Sequence, residues 1–338
     1  MSDTPDRRPW TDGAATGLGP MPGTSYHEAA RVIAGELPEL PHLPELPARG
    51  VGADPVGRAI GLLVGLPAEV VPSAWRLSRR PGIDLRRAVD ERQWVADAAE
   101  QHLSEADWIK VQVLGPWSLA ALLELPSGNR VLTDPAAVRD VTASLTEGLL
   151  GHLADVSVRT GAGVVVQIDE PMLPAVVAGA LPTASGFGTV RAVDAVHVRD
   201  LLADLVAALA TPTVARAGAG TSVGLLRSAG FAGVAVDFTK LGTSAAELDP
   251  LGEALEAGTV LLAGVVPTAV DPAAGLRDRA TPLLEVWRRW GFPLDALPGS
   301  IVPTPVDGLA DITVEAAVRA LRVARELAGA LADPPDDW

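Results

Sequence analysis

Short runs of aliphatic residues recur along this chain, separated by longer stretches in which apolar residues return every three to five positions. That alternation constrains the fold more than any other feature. A run apolar on successive residues has no polar face to turn to water, so it reads as a strand covered on both sides. The periodic stretches read as the helices that cover it. Strands are predicted near 15–19, 68–73, 108–114, 163–168, 211–216, 232–237, 258–265 and 300–304, with cores such as IKVQVLG, VVVQID, PTVAR, GVAVDF and VLLAGVV. Helices are predicted over 86–103 (with Leu85, Val89, Trp94, Val95, Ala98), 136–157 (Val138, Val141, Leu145, Leu149, Leu153, Val156) and 313–331. The last opens after Asp311 and carries Val314, Val318, Leu321, Ala324 and Leu327.

Eight strand-like runs with interleaved helices point to a closed (β/α)8 barrel, and an open doubly wound sheet is the alternative. A chain of 338 residues accommodates one such barrel over 15–338. Residues 1–14 are polar and aperiodic and read as a flexible arm. Residues 36–50, ELPELPHLPELPARG, cannot be helix interior because each proline lacks an N–H donor. They read as an extended loop near the barrel mouth.

Charge and composition narrow the function. A net charge of -15 and a pI near 4.7 argue against a nucleic-acid partner, which needs clustered cations. Lys110 and Lys240 are the only lysines, and Arg79, Arg80, Arg86 and Arg87 read as a solvated helix entry. Cysteine is absent, which removes disulfides, thiol nucleophiles and thiolate metal ligands. The N-terminal stretch has no apolar core of a signal peptide, and no apolar run reaches the ~20 residues of a membrane span. The expectation is a cytoplasmic protein with no membrane partner. The Ala, Gly, Pro and Val bias fits a GC-rich bacterial genome.

The sharpest motif is VVVQIDEPML, 164–173, an apolar strand ending in the carboxylates Asp169 and Glu170. Pro171 then suits the first turn of a helix. At the C-terminal end of a barrel strand such groups meet ligands. The alternative is structural: Asp169 caps a helix and Glu170 pairs with a nearby arginine.

Gln-Ile-Asp-Glu-Pro resembles the strand signature of cobalamin-independent methionine synthases and their shorter actinobacterial relatives. Three further segments resemble that family in the same order: LGPMPGTSYHEAA (18–30), GPWSLAALLEL (115–125) and TPVDGLADI (304–312). The resemblance spans about 15–331 and implies a TIM barrel of the methionine synthase and uroporphyrinogen decarboxylase type. It implies substrate contacts at Asp169, which in the family binds an amino group, and at Glu170, Gly19 and Trp117. The first-loop serine of the family corresponds to Pro20.

In that family a zinc ion activates homocysteine as a thiolate, held by His-x-Cys, a Glu and a closing Cys. Carried over residue by residue, these positions fall on Ala215, Ala217, Asp237 and Asp307. The resemblance therefore implies a methyltransferase of methionine biosynthesis whose zinc site is lost, and no cofactor is expected. Alternation along the strand would place Ala215 and Ala217 on the lumen side and Arg216 outward. If the strand ends early, Arg216 is expected to reach Asp237 or Asp307 as a substitute cation. His27, His102, His152 and His197 are predicted on helices, and only His42 could reach the mouth. Three functions stay open: a repurposed barrel binding an amino-acid-like or cationic small molecule, an active methyltransferase using a non-standard site, and a metal-free decarboxylase.

Overall fold

Six of the apolar runs pair edge to edge, all running in one direction. The computed structural model describes residues 9–10, 13–270 and 274–334. Its strands are β1 (Ala68–Val71), β2 (Ala74–Leu77), β3 (Trp108–Leu114), β4 (Leu123–Glu124), β5 (Gly163–Glu170), β6 (Thr213–Ala217), β7 (Gly233–Asp237), β8 (Val260–Val266) and β9 (Ile301–Pro305). The helices are α1 (Tyr26–Glu36), α2 (Pro55–Ile60), α3 (Ile83–His102), α4 (Pro116–Leu122), α5 (Pro135–Thr160), α6 (Leu173–Ala178), α7 (Ala195–Leu209), α8 (Val223–Ser228), α9 (Ala245–Glu256), α10 (Leu276–Trp290) and α11 (Val314–Ala332). Strands β3, β5, β6, β7, β8 and β9 form one curled parallel sheet in that order, with helices in the connections between them.

Alternation along the strands separates two faces. Val164, Val166, Ile168, Ala215, Val234, Leu261, Ala263 and Ile301 join the main core with the helices. Val165, Val214, Val260, Leu262 and Val302 face the other way and form a smaller cluster with Trp10, Ala14 and Leu40. Trp10 belongs to the stretch expected as a flexible arm, yet it is only 7% exposed and plugs this inner face. Most of the rest of that arm lies outside the described residues.

The helices start where the chain supplies caps. Asp134 accepts from the amides of Ala136 and Ala137 ahead of Pro135, and α5 ends at Gly161 with φ 75. Thr313, not Asp311, caps α11, accepting from Ala316 N at 3.2 Å. In α3 the buried face is Ala88, Glu91, Val95, Ala98 and Ala99, while Trp94 is 45% exposed under the Arg49 guanidinium.

Two expectations are corrected. The run 68–73 is no part of the parallel sheet: β1 folds back antiparallel on β2, which pairs with β4 in a separate three-stranded sheet. Pro72 breaks the run at the turn, and Glu69 and Val70 face solvent. The proline-rich stretch 36–50 is extended only in its middle, over 41–45, which lies against the sheet; Glu36 ends α1 and Pro47–Arg49 form a 3-10 helical turn. Lys110 N donates to Pro41 O at 2.8 Å and Leu43 N to Lys110 O at 2.9 Å, which places 41–45 beside β3. Residues 14–19 are buried, and the predicted strand there forms no regular ladder. Thr16 N donates to Pro303 O at 3.2 Å, and Glu45 N to Gly19 O at 3.0 Å.

Candidate ligand site at the C-terminal edge of the sheet

The inner face turns polar toward the strand C-termini. Lys110 and Gln112 come from β3, Gln167 and Asp169 from β5, and Arg216 from β6 opposite Asp169 in register. Segment 41–45 adds His42 and Glu45, both buried. Their polar atoms are linked. Lys110 Nζ donates to Gln167 Oε1 at 2.5 Å. Gln167 Nε2 donates to Asp169 Oδ1 at 2.8 Å and to Leu18 O at 3.1 Å. Arg216 Nη1 stands 4.0 Å from Asp169 Oδ2, and its Nη2 donates to Asp307 Oδ1 at 2.6 Å. Glu45 is ion-paired to Arg58 of α2.

Two carboxylates that are adjacent in sequence have opposite surroundings. The Asp169 side chain is 15% exposed and stays on the inner face. Burial pushes its carboxyl up to about 6, with Glu45 adding to the rise and Arg216, Gln167 and Lys110 opposing it. Glu170 points to the helical layer and is 1% exposed. Its carboxylate accepts from Trp117 N at 3.0 Å, Ser118 N at 2.7 Å and Ser118 Oγ at 2.6 Å, closing the N-terminus of α4. The structural alternative is reversed: Glu170, not Asp169, closes a helix N-terminus, and Asp169, not Glu170, faces an arginine, because alternation along β5 turns Glu170 to the helices and Asp169 to the inner face. Trp117 is 5% exposed, and its Nε1 donates to Val198 O at 3.3 Å in α7. Gly19 sits at φ 116, where an added Cβ would come within 2.8 Å of Glu45 Oε1. It lets 14–20 approach 41–45 through backbone alone.

The expected facing of β6 is reversed. Val214 lies in the inner cluster, so Arg216 shares its side, while Ala215 is buried against the helices. Arg216 reaches Asp307 although the strand continues to Ala217. Asp237 has its own cation: Lys240 Nζ lies 2.9 Å from Oδ2, while Thr239 N and Oγ1 donate to Oδ1 at 3.0 and 2.6 Å. Burial raises the Asp237 carboxyl, but the bonds from Thr239 and Lys240 outweigh it and the net shift is downward. Asp307 is 68% exposed. Among the described residues no group of three or more His, Asp and Glu side chains converges as a metal would require.

Lys110, Glu45, Arg58 and Gln167 belong to this site although no sequence motif marked them as site residues. Lys110 is fully buried, and burial lowers its ammonium to about 7 against the pull of Asp169 and Glu45. The signal was present as period-two polar residues inside otherwise apolar strands, Lys110 with Gln112 and Gln167 with Asp169. His42 is enclosed on the inner face, its Nδ1 2.9 Å from Leu43 O and its Nε2 without a partner among the described residues. His27, His102, His152 and His197 lie on α1, α3, α5 and α7 as expected.

No protein-family model matches this chain, and no curated protein matches it. Solved structures do. A B12-independent methionine synthase from Shewanella sp. W3-18-1, in complex with selenomethionine, superposes with a TM-score of 0.57 at 12% identity, covering 93% of this chain and 96% of that one. A methyltransferase from Methanosarcina mazei gives 0.50 at 14% identity, covering 94% of each. No helix among the described residues is long and apolar enough to cross a membrane. This chain therefore has an α/β fold like that of a B12-independent methionine synthase and a methanogen methyltransferase, built on a curled parallel sheet of six strands.

Proposed function

We propose that the chain is a methyltransferase-like barrel that binds a small cationic or amino-acid-like metabolite at Asp169 and works without a thiolate zinc centre. In this reading 14–20 and 41–45 serve as the two remaining staves of an eight-stave barrel. The bonds from Thr16 to Pro303, from Glu45 to Gly19 and between 41–43 and Lys110 support that closure.

One observation carries the ligand reading. Asp169 is a mostly enclosed carboxylate at a strand C-terminus, with Oδ1 held by Gln167 and Oδ2 beyond hydrogen-bond range of Arg216 at 4.0 Å. A ligand ammonium can complete Oδ2, and the neighbouring guanidinium suits an anionic group on the same molecule. The donor set does not fit the zinc that the resemblance implies. Zinc of that type needs thiolate or imidazole donors. Here Asp307 and Asp237 are already paired to Arg216 and Lys240, and Arg216 would repel a divalent ion.

The test uses protein purified without chelator. Elemental analysis should find zinc far below one per chain. L-Methionine should bind in calorimetry, with affinity at least about tenfold lower in Asp169→Asn. Stoichiometric zinc, or methyl transfer to homocysteine from a methyl-folate, would favour an active synthase instead. Equal L-methionine binding by Asp169→Asn would remove Asp169 from the site.

A further inference from the structure

A lysine buried in a barrel interior is costly unless something holds it there, because desolvation disfavours the charged form. Among the described residues no carboxylate is in direct contact with Lys110. Its Nζ donates to Gln167 Oε1 at 2.5 Å, and Gln112, in the amide orientation that satisfies its neighbours, accepts from it at 3.1 Å. The surrounding charges stand further off: Asp169 on β5, Glu45 on 41–45 with Arg58 from α2, and Arg216 on β6 with Asp307 beyond it.

The amide of Gln167 is fixed by this arrangement. Its oxygen accepts from Lys110 Nζ, which as an ammonium can only donate, so its nitrogen faces the other way. Both N–H groups are then engaged, one by Leu18 O at 3.1 Å and one by Asp169 Oδ1 at 2.8 Å. We propose that Lys110 and Gln167 are positioning residues for Asp169: the lysine orients the amide, and the amide holds one carboxylate oxygen so that the other faces the ligand. This rests on Asp169 being the ligand-binding carboxylate. Without the amide donor, Oδ1 loses its fixed partner and nothing holds Oδ2 toward the ligand.

The readout is the titration of Asp169 itself, followed by the 13Cγ resonance of selectively labelled aspartate and assigned with Asp169→Asn. Lys110→Met and Gln167→Leu keep side-chain volume close to the original while removing the cation or the donor. Each should raise the Asp169 titration midpoint by about 0.5 pH or more. Gln167→Glu places a second carboxylate beside Asp169 and should raise it further. Lys110→Arg, which keeps the charge, should restore much of the native value. A purely structural role would lower the melting temperature and leave the Asp169 midpoint where it was; that result in a folded Gln167→Leu protein overturns the proposal. If Lys110→Met does not fold, the two Gln167 variants still decide. The titration needs no ligand, so intact shifts with no L-methionine binding would overturn the functional reading alone.

Discussion

Replacing Arg216 with alanine separates an enclosed ion pair from an exposed one. The guanidinium serves Asp169 at 4.0 Å and Asp307 at 2.6 Å. Two unit charges 4 Å apart attract by about 4 kcal/mol at an effective dielectric of about 20. With the guanidinium 31% exposed, solvent screening lowers this to about 2 kcal/mol. The Asp307 half is worth about 0.5 kcal/mol, because that side chain is 68% exposed. Ionisation of Asp169 decides when the larger share is present. Its folded carboxyl sits at about 6, above its ordinary 3.8, so between those values the folded chain binds more protons than the unfolded one. Native stability therefore falls as pH rises through that window, and removing Arg216 extends the fall upward. Arg216→Ala should cost about 2–3 kcal/mol at pH 8 and under about 1 kcal/mol at pH 5, where Asp169 is mostly protonated. Urea unfolding of both proteins at the two pH values measures this. An equal loss at both, or a larger loss at pH 5, would refute the coupling between Arg216 and Asp169.

His152 is buried, its Nδ1 has no partner among the described residues, and burial with nearby Arg92 and Arg58 lowers its pKa to about 4. The unfolded chain takes up a proton near 6.5 while the folded one resists until about 4, so this contribution is lost on acidification. His152→Leu should match the native protein within about 1 kcal/mol at pH 7 and exceed it by about 2.5 kcal/mol at pH 4.5, as read by denaturant midpoints. Gly148 of α5 passes so close to the 62–64 loop that an added Cβ would lie 1.6 Å from Leu62 O, and Ser144 Oγ donates to Val64 O at 2.9 Å nearby. Gly148→Ala should therefore cost about 3 kcal/mol or more in thermal unfolding, and an unchanged melting temperature would mean the helix and loop are not packed this way.

Strands β3, β5, β6, β7, β8 and β9 were legible in the sequence because each is covered on both faces and so reads as a continuous apolar run. The same property hid their facing. In a run apolar on both sides nothing marks which residues look inward, and an assignment displaced by one residue exchanges the faces. Ala215 and Ala217 were read as inward for that reason, and Arg216 holds the inner position instead. β5 was better marked, since Gln167 and Asp169 interrupt it with period two. Those residues, with Lys110 and Gln112, already spelled a polar inner face, but their partners range from Leu18 to Arg216 and share no local pattern. The run 68–73 looked like its neighbours and joined another sheet, while 41–45 looked like a proline-rich loop and lies against β3. Periodicity determined what each segment could become. Which sheet it joined and which cation each carboxylate met were decided only by tertiary structure, because burial and charge pairing depend on groups that are distant in sequence.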